Sequence, residues 1–228
     1  MARAALTAGA SGAPFAKLIK LGDILTGAFG GSSTRQQVNF NTKEPLFKDD
    51  GKPRLEEVMH FIAMPGTKAW TGERDAPQSI DEGDHVRFSV KGHTWGQVID
   101  GRKALPAYSG FRAGDMCSGD VYTIELIGWS VKTENPAAAK AAGFTVVEGR
   151  IIMRTQDEKN RYVLARSERG ENTNVGNDIH ITIRRPTADE KRWEQLADEL
   201  YDSKVWAKTA AAAADAHSSA EFGDEEPF

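Results

Sequence analysis

The sequence predicts a mainly β fold: a small antiparallel Greek-key barrel with extra hairpins, one helix near the C-terminal end, and a disordered acidic tail. Three observations carry this expectation. Short apolar segments alternate with polar residues at the strand period, most cleanly over residues 83–91, where Val86, Phe88 and Val90 face one way and Arg87, Ser89 and Lys91 the other. Gly-rich, polar loops separate these segments. A capping box, Thr187 to Glu190, opens an apolar helical stripe only late in the chain.

Taken in order, residues 1–16 are rich in Ala and Gly and form a flexible leader. Residues 17–27 supply a first strand with a bend at Gly22-Asp23, and Gly30-Gly31-Ser32-Ser33 breaks it. Val38 and Phe40 alternate with polar neighbours, and Asp49-Asp50-Gly51 marks a hairpin turn. Residues 58–64 are the next strand, closed by Pro65-Gly66. Residues 67–82 read as a polar loop holding Lys68 and Trp70. After the strand at 83–91 comes a second Gly-rich loop with Trp95, Arg102, Lys103, Tyr108 and Arg112.

Residues 120–131 form the most apolar strand, with Trp129 and Phe88 assigned to the core. Asn135-Pro136 stops it, and residues 137–142 add a helical turn or two. Two strands at 145–155 and 161–167 flank a hairpin at 156–160, and Ile179, Ile181 and Ile183 alternate along a last strand at 178–185. The domain therefore spans 17–186, an amphipathic helix 187–207 carries Trp193, Leu196, Ala197 and Leu200, and 208–228 is linker and tail.

With 39% hydrophobic and 27% charged residues, the 228-residue chain has the composition of an ordinary soluble domain. A lone Cys117 forms no internal disulfide, and no stretch has the apolar length of a membrane span. Gly and Ser interrupt any apolar run behind Arg3, so a secretion signal is not expected and the chain reads as cytoplasmic. His60, His85, His93, His180 and His217 show no metal-ligand spacing, and no phosphate-cradling Gly-rich loop precedes a helix. Neither an enzyme nor a cofactor is expected.

The net charge of -4 hides an asymmetry. Residues 215–228 carry five carboxylate side chains and no Lys or Arg, leaving a body of 29 basic and 28 acidic side chains. The last eight residues hold Glu221, Phe222, Asp224, Glu225, Glu226, Pro227 and Phe228. Such a run buries too little apolar surface to fold alone, yet its aromatics exceed what solubility needs. A terminal Phe for an apolar pocket and carboxylates for a basic rim describe a docking peptide.

This tip resembles the acidic tail of the single-stranded DNA-binding proteins of bacteria and phages, although Glu226 stands where the bacterial family usually has an aliphatic residue. The match covers only those eight residues; the body is compatible with the OB-fold such proteins use. The resemblance implies a protein, of phage type and acting in the bacterial host cytoplasm, that coats single-stranded DNA during replication, recombination or repair. It also implies a tail that recruits replication or recombination proteins.

Sequence-independent single-strand binding needs a cationic groove and aromatics on which bases stack. Lys68, Trp70, Arg87, Lys91, Trp95, Arg102, Lys103, Tyr108, Arg112, Arg154 and Arg161 supply both residue types and are the expected contacts. A weakly charged body predicts modest affinity, reinforced by cooperative contacts or homo-oligomerisation. The alternative is a β-rich virion or assembly protein whose tail docks another subunit.

Overall fold

A long, thirteen-residue strand organises the sheet in the computed structural model, which describes residues 12–39, 42, 44–73, 76–90 and 93–204. This strand, β1 (Ile24–Gln36), pairs antiparallel on one side with β2 (Leu55–Ala63) and on the other with β6 (Val121–Lys132). Beyond β2 lies β5 (His85–Val90), and a separate hairpin joins β3 (Trp70–Glu73) to β4 (Ala76–Ser79). After α1 (His93–Lys103), β6 and α2 (Pro136–Ala141) come β7 (Thr145–Val147), β8 (Arg150–Met153), α3 (Gln156–Ser167) and β9 (Gly176–Arg184). The strand order is β5-β2-β1-β6-β8-β7, with β9 on the free side of β6. The chain is thus mainly β and antiparallel, and it ends its described part with α4 (Lys191–Ser203).

The expected closure into a barrel does not occur: β5 and β9 are edges of an open sheet. Each edge is blunted by something other than a strand of that sheet. Residues 14–16 run parallel to β5, exchanging backbone bonds with Arg87 (Ala16 N–H to its carbonyl, 2.7 Å; its N–H to Pro14, 2.9 Å). On the opposite edge, α1 lies against β9, and the Gln97 amide bridges it: Nε2 donates to Ile179 O and Oε1 accepts from Ile181 N–H, both at 2.8 Å. A side chain here stands in for a ladder partner of β9, and the third terminal strand, β7, pairs with β8 alone.

One face of the sheet carries the main core. Phe29 and Phe61 are cross-strand partners, and Tyr122 lies within 5.6 Å of both rings. Full burial of each such ring is worth about 1.5–3 kcal/mol. Gly27 sits beside them because a Cβ there would stand 2.8 Å from Phe61 Cβ. On the reverse face, Ala28, Ile62, Met64 and Val121 receive Trp193, Ala197 and Leu200 of α4. Gly30 makes room for this helix, since a Cβ would meet Leu200 Cδ2 at 2.4 Å. β1 therefore runs through the Gly-Gly-Ser-Ser segment expected to break it, with only a register shift between Phe29 and Gly31.

Three further expectations change. The polar loop at 67–82 contains the β3–β4 hairpin, and the loop after β5 contains α1. The hairpin and strand proposed over 156–167 are one helix, α3, opened by a capping box in which Thr155 and Glu158 satisfy each other's backbone N–H groups. The expected capping box at Thr187 and Glu190 is present and opens a 3-10 turn, Ala188–Glu190, that leads into α4. Most of the leader, residues 1–11, and the linker and tail, 208–228, lie outside the described residues, as does Lys91. Among the described residues no helix is long and apolar enough to cross a membrane.

Candidate nucleic-acid interface

A groove of about 610 Å³ opens on the core side of the sheet. Its walls are residues 16–19, Phe88 of β5, Trp129 of β6, Lys159 and Val163 of α3, and residues 173–175 with Asn177. The volume falls within the ~300–1,000 Å³ typical of small-molecule sites. Two lysines, Lys17 and Lys159, line it together with Thr173, Asn174 and Asn177, and among the described residues no carboxylate side chain does.

Local structure explains how these groups converge. β6 shifts register between Leu126 and Gly128, re-aiming the strand so that Trp129 faces inward opposite Asn177 and Met153. Only glycine fits at 128, where a Cβ would stand 2.4 Å from Met153 O. α3 is anchored by buried Tyr162, edge-on to Phe144 at 5.8 Å. Lys159 and Val163, one turn apart on one helix face, are thereby turned to the groove. The Lys159 ammonium lies 4.1 Å from the Trp129 ring centroid. Asn177 Nδ2 donates to Leu18 O at 3.0 Å and ties residues 16–19 to the opposite wall.

Trp129 and Phe88 are only 1% and 8% exposed, in keeping with their assignment to the core. The Lys17 ammonium donates to the Gly72 carbonyl, outside the groove lining, so the groove offers apolar walls and the Lys159 ammonium rather than a flat stacking platform. Its chemistry suits a ligand that is anionic at one end and flat and apolar at the other.

The residues expected to contact nucleic acid do not gather there; they are spread over several places. Arg87 points to the side of β5 opposite Phe88, where its guanidinium stacks on Phe15 at 4.3 Å and donates to the Ala13 carbonyl. It is a clasp for residues 12–16. Trp70 is half-buried, donating from Nε1 to Asp23 Oδ2 at 3.0 Å with the Lys20 ammonium 5.7 Å from its ring; exposed Lys68 bonds its backbone to Ile24. Trp95 packs from α1 against the core.

Arg102 donates to Gly114 O at 3.4 Å, and Lys103 pairs with Asp100 at 2.8 Å. Tyr108 donates to Glu194 at 3.0 Å, and Arg112 is exposed. Arg154 pairs with Asp178 at 2.6 Å, while Arg161 stacks on Phe144 at 4.7 Å and donates to Gly143 O. Sequence reasoning missed Lys17, Lys159 and Asn177. Lys159 and Val163 carry a usable signal, a helical i, i+4 spacing after a capping box, which a strand reading conceals.

Behind Arg87, on the face away from the groove, lies a buried polar cluster. His60 Nδ1 is 2.9 Å from His85 Nε2, Arg35 pairs with Glu56 at 2.7 Å, and Ser89 donates to Glu56 at 2.7 Å. Burial, then His85 and Arg87, lowers the His60 value from 6.5 to about 3; burial, then Arg87, lowers His85 to about 4. Both rings are neutral at pH 7. Burial and the Arg35 charge likewise lower Arg87 from its usual value. Among the described residues no group of three or more His, Cys, Asp or Glu is placed to hold a metal ion.

The chain matches no family model, and no curated protein or solved structure is significantly similar to it.

Proposed function

We propose that this protein binds single-stranded DNA without sequence preference and recruits replication or recombination proteins through its acidic C-terminal tip. The observation that supports this most is the groove: it is nucleotide-sized, is lined by Lys17 and Lys159 and, among the described residues, by no carboxylate, on a body that is otherwise nearly neutral. Such a local cationic field attracts phosphate where net charge does not. Lys159, and Lys17 on exchanging the Gly72 carbonyl for phosphate, take phosphate oxygens, Asn174 and Asn177 offer amide groups to base edges, and the apolar walls exclude water from a base. The open sheet leaves the OB-like barrel as an analogy of binding mode rather than of architecture.

A second reading is favoured by the way the expected cations are neutralised within the chain, Arg154 by Asp178 and Lys103 by Asp100. On that reading the protein is a structural adaptor whose tail docks a subunit. A gel shift of the full chain with oligo-dT and with duplex of equal length, with and without magnesium, decides. Retardation of oligo-dT alone supports the proposal. Equal affinity for both, or none, favours the adaptor, and magnesium-dependent cleavage would show a nuclease.

A further inference from the structure

Beyond the main sheet, β1 and β2 extend into an arm over residues 36–55, whose backbone bonds link Gln37, Leu46 and Arg54 in a three-way ladder. Its register sorts the side chains. Val38 is bridged to Pro45, Phe47 to Pro53, and Gln36 is paired with Leu55, all antiparallel. Directly opposite residues share a face, as do residues two apart on one strand. Val38, Pro45, Phe47, Pro53 and Leu55 therefore lie on one side with Gln36, and Lys48, Lys52 and Arg54 lie on the other.

Three of these apolar side chains are about half exposed: Val38 at 48%, Phe47 at 53% and Leu55 at 53%. Among the described residues the other large exposed hydrophobics, such as Ile99, Phe111, Val147 and Leu164, lie on separate helices, strands and loops. An apolar face concentrated on one projecting element marks an interaction surface.

We infer that this face is where two copies of the chain meet, arm against arm about a two-fold axis. The charge of the arm selects the occupant. Residues 36–55 carry four cations and three carboxylates, so the arm neither repels its own copy nor attracts a polyanion strongly. Phe47 is the single aromatic described on the apolar face, and the described cations Lys48, Lys52 and Arg54 lie on the reverse, so a base stacked on it would hold its phosphates away from them. The same segregation disfavours the acidic tail. Pro45 and Pro53 lack an N–H, which opposes edge-to-edge strand addition and leaves a closed, face-to-face contact. This contact is independent of whether the groove binds DNA.

Sedimentation of the full chain over a wide concentration range tests it. The weight-average mass rises from one chain towards two, and Phe47→Asp holds it at one while circular dichroism shows the fold retained. Val147→Asp, on β7, leaves the association unchanged. In Phe47→Cys, a short bis-maleimide joins two chains, and buried Cys117 in the unmodified chain does not. A single-chain mass at every concentration overturns the inference, as does a dimer indifferent to both Phe47→Asp and Leu55→Asp. Arm variants that weaken oligo-dT binding without changing the mass would assign the face to nucleic acid. Loss of the dimer on removing residues 205–228, with arm variants inert, would assign the contact to the tail.

Discussion

Arg185 holds Asp120 through one nitrogen, its Nη1 lying 2.8 Å from Oδ1 and 2.9 Å from Oδ2, and the carboxylate is wholly shielded from solvent. The rest of the guanidinium is satisfied as well: Nε and Nη2 donate to Pro106 O at 3.0 and 2.8 Å, and Asp120 Oδ2 also accepts the Cys117 N–H at 3.0 Å. The pair ties the segment after β9 to the residue before β6 and to the loop between α1 and β6. That loop in turn reaches α4 through Tyr108 to Glu194 and Ser118 to Asp198. Removing one partner of a buried pair strands the other's charge, at a cost of about 3–5 kcal/mol. Asp120→Ala is therefore expected to lower the unfolding free energy by about that amount. Arg185→Lys keeps the charge but loses the paired bonds to Pro106 O, and falls between the wild type and Asp120→Ala. Denaturant unfolding measures both, and an Asp120→Ala curve matching the wild type would show that the pair does not hold the loop.

The His60–His85 pair sets a pH dependence whose sign follows from burial. Both folded-state values lie below the unfolded 6.5, at about 3 and about 4. As pH falls, the unfolded chain takes up protons first, so stability is full above 6.5 and drains away as pH drops towards 4. Each histidine contributes at most about 1.4 kcal/mol per pH unit across that window. The groups facing the pair do not rescue it, because Arg87 is cationic and Glu56 is already engaged by Arg35 and Ser89. Stability measured between pH 7.5 and 5 is expected to fall in the wild type and to fall less steeply in His85→Gln. Equal slopes would place the titration elsewhere.

Much of the sheet was legible because period-2 alternation survives wherever one face is buried: β2, β5, β6 and β9 lie within a few residues of their expected bounds. The tertiary context hid the rest. The Gly-Gly-Ser-Ser run looks like a break, but Gly30 is small because Leu200 of α4 crosses it, a contact no local pattern reveals. α3 presents no clean apolar stripe, since Tyr162 is its one fully buried side chain, and so its cap was the better signal than its period. Barrel closure failed as an expectation: residues 14–16 lie along β5 and Gln97 of α1 along β9, where closing strands would pair. The candidate site was the least legible part. Arg87 on an alternating strand has the signature of a solvent-facing cation, yet residues 12–16 cover it.

If the groove takes single-stranded DNA, its two lysines set part of the salt dependence. Each phosphate neutralised on a single strand contributes about 0.7 to the slope of log K against log salt. The double variant Lys17→Ala, Lys159→Ala is expected to flatten that slope by about 1.4. Lys103→Ala leaves it unchanged, because Asp100 already holds that ammonium. Titrating oligo-dT at several salt concentrations reads both numbers, and a slope unaffected by the double variant would remove the groove from the binding surface.

The tail, Glu221 to Phe228, lies outside the described residues, and its expected action is competitive: four carboxylate side chains ride on a linker beside a nearly neutral body with a lysine-lined groove. Deleting residues 221–228 is expected to raise affinity for oligo-dT by on the order of tenfold at low ionic strength, equivalent to about 1.4 kcal/mol. The gain shrinks as salt screens the competitor over its Debye length. A scrambled tail of the same composition that moves Phe228 inward separates two causes. If the scrambled chain binds like the wild type, charge alone competes. If it binds like the truncation, the terminal aromatic must seat against an apolar wall, and the groove, with Val163 and Val175 beside its lysines, is the described surface that offers both. Affinity unchanged by truncation at every salt concentration would remove the tail as a competitor for the groove.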